Sequence, residues 1–234
     1  FLPAANWNGT PGQLSVRLID NSSGAVTTGA GSDISGAATG GTTAYANLAN
    51  QVTLGTAISA VNDAPVASGT ATLSAINEDT TNPSGALVSA LITGSQYSDT
   101  TDTVTGGSTA TALGGIAITA NAANPGTEGS WQYSTNGGTS WITVPTSGLG
   151  DSTALILPTN AKLRFVPVAD YSGTPGNLTV RLADSVSTFS ASSDISGSLG
   201  GTNTWSAATA AIATTINPVN DAPTIAALSG SPVM

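Results

Sequence analysis

Apolar and polar positions alternate with a period of two in short blocks along most of this chain. Leu14, Val16 and Leu18 alternate with Ser15 and Arg17, and Leu178, Val180 and Leu182 repeat the pattern around Thr179 and Arg181. A period of two places every second side chain on one face of a strand, so each block predicts a strand with one buried face. Blocks at 71–76, 86–92, 115–119, 131–134, 141–144, 154–157, 163–166 and 207–216 predict further strands. Clusters of Gly, Asn, Asp, Ser and Thr separate them, as turns require. Helical spacing is interrupted in nearly every window by Gly and β-branched residues. The prediction is an all-β protein, with about eight strands in a complete unit arranged as a sandwich of two antiparallel sheets.

The blocks belong to an internal repeat. Asn-Asp-Ala-Pro occurs at Asn62–Pro65 and again at Asn220–Pro223, 158 positions apart (220 − 62). Residues 1–20 match residues 165–184: Phe1 falls opposite Phe165, Gly9-Thr-Pro-Gly12 opposite Gly173-Thr-Pro-Gly176, Val16-Arg-Leu18 opposite Val180-Arg-Leu182, and Asp20 opposite Asp184. Ser32-Asp-Ile-Ser-Gly36 matches Ser193-Asp-Ile-Ser-Gly197, and Tyr45 falls opposite Trp205. The offset drifts from 164 (165 − 1) to 158 across a Ser/Gly-rich stretch, which is how loops vary between copies of one domain. Residues 1–65 therefore read as the C-terminal part of a repeat, 66–223 as a complete one, and 224–234 as the first strand of the next.

Composition narrows the function. Lys and Arg together number 4 against 13 Asp and Glu, for a net charge of −9. No basic patch exists for nucleic acid, and anionic membrane is disfavoured for the same reason. No apolar run reaches membrane-spanning length. Cysteine and histidine are absent, which removes disulfides, the usual zinc sites, and Ser-His or Cys-His catalysis. Glu128 and Asp151 flank separate loops and do not suggest a paired-carboxylate cleft. The chain reads as a binding or structural protein, not an enzyme.

Trp131-Gln-Tyr-Ser-Thr-Asn-Gly-Gly-Thr-Ser-Trp141 predicts a hairpin, with Asn136-Gly137 supplying residues that tolerate positive φ. Ser134-x-Asn136-x-Gly138-x-Ser140-Trp141 resembles an Asp-box with Asn in place of Asp, a motif that stabilises hairpins. Trp131 and Tyr133 fall on one strand face, where core packing is favoured over a sugar-binding platform. Asp33 and Asp194 read as turn formers.

The order of motifs carries a wider resemblance. Ile76-Asn-Glu-Asp-Thr80, Ser98-Asp-Thr-Thr-Asp102, Phe165-Val-Pro-Val-Ala-Asp-Tyr-Ser-Gly173, Val180-Arg-Leu-Ala-Asp184 and Val219-Asn-Asp-Ala-Pro223 follow one another. In this order they resemble the cadherin-like tandem repeats of giant bacterial surface adhesins, including those of the repeat-in-toxin type. The resemblance implies an Ig-like sandwich, secretion to the cell surface, and Ca2+ at the domain junctions. It implies ligands at Asp63, Asp99, Asp102 and Asp184 at one pole of the complete repeat, and at Glu78 and Asp221 at the other. Asp20, the counterpart of Asp184, belongs to the preceding junction. Ala60 and Pro218 stand where cadherins carry a further linker acid, and the spacing of Asp99 and Asp102 is Asp-x-x-Asp instead of Asp-x-Asp. Converging carboxylates repel unless a cation neutralises them, and calcium takes six to eight oxygens.

The expected function is that of extender repeats in a secreted adhesin, stiffened by calcium, with neighbouring repeats as partners. One alternative is a filament subunit whose half-domain is completed by strand exchange with another copy, 224–228 being a candidate donor. Another is a carbohydrate-binding module.

Overall fold

The computed structural model describes residues 1–22, 29, 39–185 and 187–223. The motif at 32–36 with Asp33, and the segment 224–234 with the candidate donor strand, lie outside the described residues. The chain forms two compact units. The first comprises Phe1–Val61 and the loop Asp102–Thr109; the second comprises Asn62–Thr101 and the chain from Ala110 onward.

In the first unit, β1 (Leu14–Val16) pairs antiparallel with β2 (Val52–Leu54), Leu14 opposite Leu54 and Val16 opposite Val52. The Asp102–Thr109 loop is fastened here by Asn8, whose Nδ2 donates to Ser108 Oγ at 2.8 Å and whose Oδ1 accepts from Ser108 N at 2.7 Å.

The second unit is a β-sandwich. Its strands are β3 (Val66–Ala67), β4 (Thr70–Thr72), β5 (Ile76–Asn77), β6 (Ala86–Leu87), β7 (Tyr97–Ser98), β8 (Gly115–Asn121), β9 (Gly129–Ser134), β10 (Ile142–Thr143), β11 (Ala154–Pro158), β12 (Lys162–Pro167), β13 (Leu178–Ala183), β14 (Ser190–Ser193), β15 (Ala210–Ala213) and β16 (Ile216–Asn217). One sheet has the order β10-β9-β12-β6 and the other β14-β11-β8-β13-β15-β4, with two short ribbons, β16-β5 and β3-β7. Alternation decides what goes inside. Trp131 and Tyr133 of β9, Leu163 and Phe165 of β12, and Leu178, Val180 and Leu182 of β13 all point into one core. There Trp131 meets the Phe165 ring edge-on, with centroids 5.3 Å apart. Its indole Nε1–H is not wasted in the apolar interior: it donates to Gly176 O at 2.8 Å. A smaller cluster (Ala117, Ala154, Ala183, Ile195 and Trp205) covers the other face of the six-stranded sheet.

Two expectations are corrected. The block 86–92 is not one strand: β6 ends at Leu87, and α1 (Val88–Leu91) makes one helical turn, closed by Ile92 N donating to Val88 O at 3.0 Å. Val88 and Leu91 are buried at a spacing of three, and a short apolar run satisfies strand and helix patterns alike. The larger sheet is not wholly antiparallel, because β4 runs parallel to β15, and the separate ribbon of β5 and β16 is parallel too. Alternation sets which face is buried but not strand direction.

The sequence repeat is also a structural one. Leu14 opposite Leu54 corresponds to Leu178 opposite Ile212, and Val16 opposite Val52 to Val180 opposite Ala210. The bridges Gly9–Ile58, Ile19–Tyr45 and Thr39–Tyr45 correspond to Gly173–Ile216, Ala183–Trp205 and Leu199–Trp205. Gly40 N donates to Tyr45 O at 2.8 Å just as Gly200 N donates to Trp205 O at 2.8 Å. Asn6 and Asp170, also counterparts, both adopt left-handed backbone, with φ of 60° and 59°.

The copies differ in what surrounds them. A Cβ on Gly176 would lie 2.2 Å from the Ala122 carbonyl carbon and oxygen, whereas one on its counterpart Gly12 would meet nothing within 4 Å. Gly176→Ala should therefore destabilise the second unit by about 1–3 kcal/mol or more. Gly12→Ala should stay within about 0.5 kcal/mol of the parent. Urea unfolding of the two variants checks the contrast.

Candidate metal centre

The end of the second unit that carries the second Asn-Asp-Ala-Pro is assembled by three elements. Pairing of β16 with β5, Ile216 opposite Ile76 and Asn217 opposite Asn77, brings 218–221 beside the turn that follows β5. That turn holds Asp79 in left-handed backbone, φ 65°, a conformation Asp tolerates better than most residues. The bridge between Gly173 and Ile216 draws in the turn after β12, which carries Asp170. Asp170 N donates to Asp79 Oδ1 at 3.3 Å.

As a result Asp79, Asp170 and Asp221 each offer one carboxylate oxygen, and these oxygens lie within 4.8 Å of one another. Oxygens that share a calcium ion at about 2.3–2.6 Å are at most about 5 Å apart, so this spacing fits one ion. The donors are hard carboxylates, which suit Ca2+ or Mg2+ and not a thiolate- or imidazole-seeking metal. Three protein oxygens leave the remaining positions to water or main-chain carbonyls. The Asp221 carboxyl is pushed above its ordinary range, first by desolvation and then by repulsion from Asp170, Asp79 and Glu78. This is the electrostatic tension that a bound cation would relieve.

Glu78 lies at this end as expected but plays another part. It is buried, and its Oε1 accepts from Val219 N at 2.6 Å, fixing how the tetrapeptide approaches β5. The trio thus includes Asp221 of the predicted ligands and adds Asp79 and Asp170, which sequence reasoning quoted within motifs without assigning them to the ion. The signal was present for both. Asp79 adjoins Glu78, and Asp170 holds the turn position whose counterpart is Asn6.

At the first Asn-Asp-Ala-Pro, Asn62 Nδ2 donates to Asp184 Oδ2 at 2.7 Å and to Asn203 O at 3.3 Å. Asp184 is fully buried. Pairing of β3 with β7, Val66 opposite Ser98, places Asp99 just past the partner of the handover segment. Asp99 is buried too, with Oδ2 accepting from Thr111 N at 2.6 Å. Asp63 is half-buried. Asp102 belongs to the first unit, where its main-chain oxygen accepts from Ser108 Oγ at 2.5 Å. Asp63, Asp99, Asp102 and Asp184 do not enter the trio, which is the only acidic group of that spacing found among the described residues.

Other candidates resolve into structure. Asp151 makes a two-pronged ion pair with Arg181, at 2.6 Å and 2.7 Å, and the Arg181 guanidinium holds its carboxyl below the usual range. Glu128 Oε2 accepts from Asn124 N at 2.8 Å and Gly176 N at 3.1 Å. Trp131 and Tyr133 are core residues, and Trp141 packs on the Arg164 guanidinium, 4.1 Å from its ring centroid. Asn136 stitches the hairpin, its Oδ1 accepting from Ser134 Oγ at 2.8 Å and Ser140 N at 3.0 Å. Asp194 closes a turn by accepting from Ser196 N at 2.9 Å. No helix among the described residues is long and apolar enough to cross a membrane.

No known protein family, no curated protein and no solved structure matches this chain.

The raised pKa of Asp221 fixes the sign of a pH effect. In metal-free protein the penalty of the cluster is absent below the unfolded value of 3.8 and grows as the pH rises through the higher folded value. In chelator, Asp221→Asn should raise the melting temperature at neutral pH and leave it unchanged at pH about 3. Thermal scans at the two pH values check this. For Asp151 the sign is opposite, because its pKa is lowered. Asp151→Asn should cost about 1–3 kcal/mol at neutral pH, a loss that shrinks as the pH falls below 3.8. Denaturant titrations across that range check it.

Proposed function

We propose that this chain is a stretch of cadherin-like, Ig-like extender repeats from a secreted cell-surface adhesin, and that calcium at the repeat junctions makes the array stiff. The observation that carries the reading is the trio at the handover: Asp221 stands in the repeated tetrapeptide, and two turns of the preceding sandwich deliver Asp79 and Asp170 to it. A cation there would tie the tetrapeptide to the sandwich it leaves, so the ion would control how freely the chain pivots as it exits. The same tetrapeptide at the first junction adjoins the buried carboxylates of Asp99 and Asp184. Acids in a chain so poor in charge are thus concentrated at the joints. Ions in the extracellular range of affinity, with Kd of about 10⁻⁴–10⁻³ M, would suffice for this role. The role is mechanical and requires no catalytic group.

Calcium titration tests the proposal. Free Ca2+ at 100 times the Kd should add about 2.7 kcal/mol to unfolding, and Asp79→Asn combined with Asp170→Asn should remove that gain. Small-angle scattering should show a longer maximum dimension with Ca2+ than with chelator. A melting temperature and scattering profile indifferent to both Ca2+ and chelator would refute the proposal.

A further inference from the structure

The first unit carries an apolar groove of about 500 Å³, lined by Phe1, Pro11, Gly12, Leu14, Leu54 and Gly55 among others. The internal repeat shows what the corresponding residues surround in the second unit. The counterparts of Phe1, Gly12, Leu14 and Leu54 are Phe165, Gly176, Leu178 and Ile212. In the second unit those four residues belong to the surroundings of one side chain, Trp131. Phe165 stands opposite Trp131 in the β12–β9 register and meets its ring edge-on. Gly176 supplies the carbonyl that accepts the indole N–H. Leu178 and Ile212 share its core.

Among its described residues, the first unit keeps these walls and has no side chain in the place of Trp131. Phe165, Leu178 and Ile212 are each 0 % exposed, whereas Phe1, Leu14 and Leu54 are 77 %, 63 % and 55 % exposed. The main chain of Ala122 and Ala123 crosses tightly over Gly176, and the space over Gly12 is open. Large apolar side chains left in water forgo the stabilisation of burial, and a two-stranded ribbon such as β1–β2 is marginal by itself.

We propose that this groove is a tryptophan socket, and that its occupant is the first part of another repeat of this type, a stretch with the pattern of residues 66–164. A strand of the Gly129–Ser134 kind runs antiparallel along Phe1–Pro3. Its indole lies edge-on to Phe1 and donates its N–H to Gly12 O, and the following chain crosses over Gly12 as 122–123 crosses over Gly176. The inference rests on the repeat and its register and not on metal, so a failure to bind calcium would leave it standing.

The test places a second copy of residues 66–164 directly ahead of Phe1 in the full 234-residue chain, so that its last residue meets Phe1 as Arg164 meets Phe165. Hydrogen exchange of β1 and β2 is the readout, with β8 and β13 of the second unit as internal reference. The β1 and β2 amides should slow by at least about 100-fold relative to the unextended chain. Replacing the tryptophan of the added copy by Ala should undo that protection. Gly12→Ala should be neutral in the unextended chain but should abolish the protection in the extended one, because its Cβ then meets the crossing main chain. Three results would overturn the proposal: unchanged exchange in the extended chain, equal protection without the added tryptophan, or neutrality of Gly12→Ala in both backgrounds. So would a concentration-dependent dimer of the unextended chain that protects β1 and β2, since a second copy would then be the occupant.

Discussion

A β-ribbon with one apolar face is stable only when a second layer covers that face, and this constraint organises the molecule. In the second unit, β13 and β15 are held at their edges by β8 and β4, and their inner face is closed by β9 and β12. Trp131 lies fully buried in the core between the two sheets. It packs edge-on against Phe165 of its own sheet and satisfies its one polar atom on the Gly176 carbonyl, just ahead of β13 in the other sheet. Large area and a satisfied donor are what make an indole suited to the centre of a sandwich. The ribbon β1–β2 has the same register and similar apolar residues, yet its leucines face water. The same local pattern therefore yields core in one setting and groove in the other.

Once the sandwich is closed, its turns become rigid platforms for charge. This chain holds few ionisable groups, and the interior uses those it has for structure. Asp151 clamps Arg181, Glu128 caps main-chain donors next to Gly176, and Glu78 seats Val219. Asp79, Asp170 and Asp221 are different, since each is exposed and they crowd one another. Two of the three stand in left-handed turns that the sandwich holds in place. Pre-setting the oxygens in this way lowers the ordering cost that an ion would otherwise have to offset. The candidate centre thus follows from the fold: parallel pairing of β5 with β16 brings Asp79 and Asp221 to the same end of the second unit.

The acids show how far a linear reading reaches. Asp221 is visible because a tetrapeptide recurs, and Glu78, expected at the same end, accepts a hydrogen bond from Val219 N there. Asp79 and Asp170 were not assigned, although Asp79 adjoins Glu78, because 91 positions separate them (170 − 79) and only the β5–β16 pairing and the Gly173–Ile216 bridge bring them together. The block 86–92 failed for another reason. A short apolar run fits two periods, and burial of Val88 and Leu91 against the core chose the helical turn.

Alternation and the internal repeat were enough to establish a β-rich chain, the strands from β8 to β13, and the correspondence of residues 1–20 with 165–184, because strand periodicity and turn chemistry are local properties. Strand direction, the parallel docking of β4 and β5, the convergence of three acids, and the burial or exposure of each apolar face were settled only in three dimensions. These depend on which distant segment covers a face, and similar local sequence carries no record of that. Leu14 and Leu178 make the point: they are the same residue in the same register, one mostly in water and the other sealed in the core that holds Trp131.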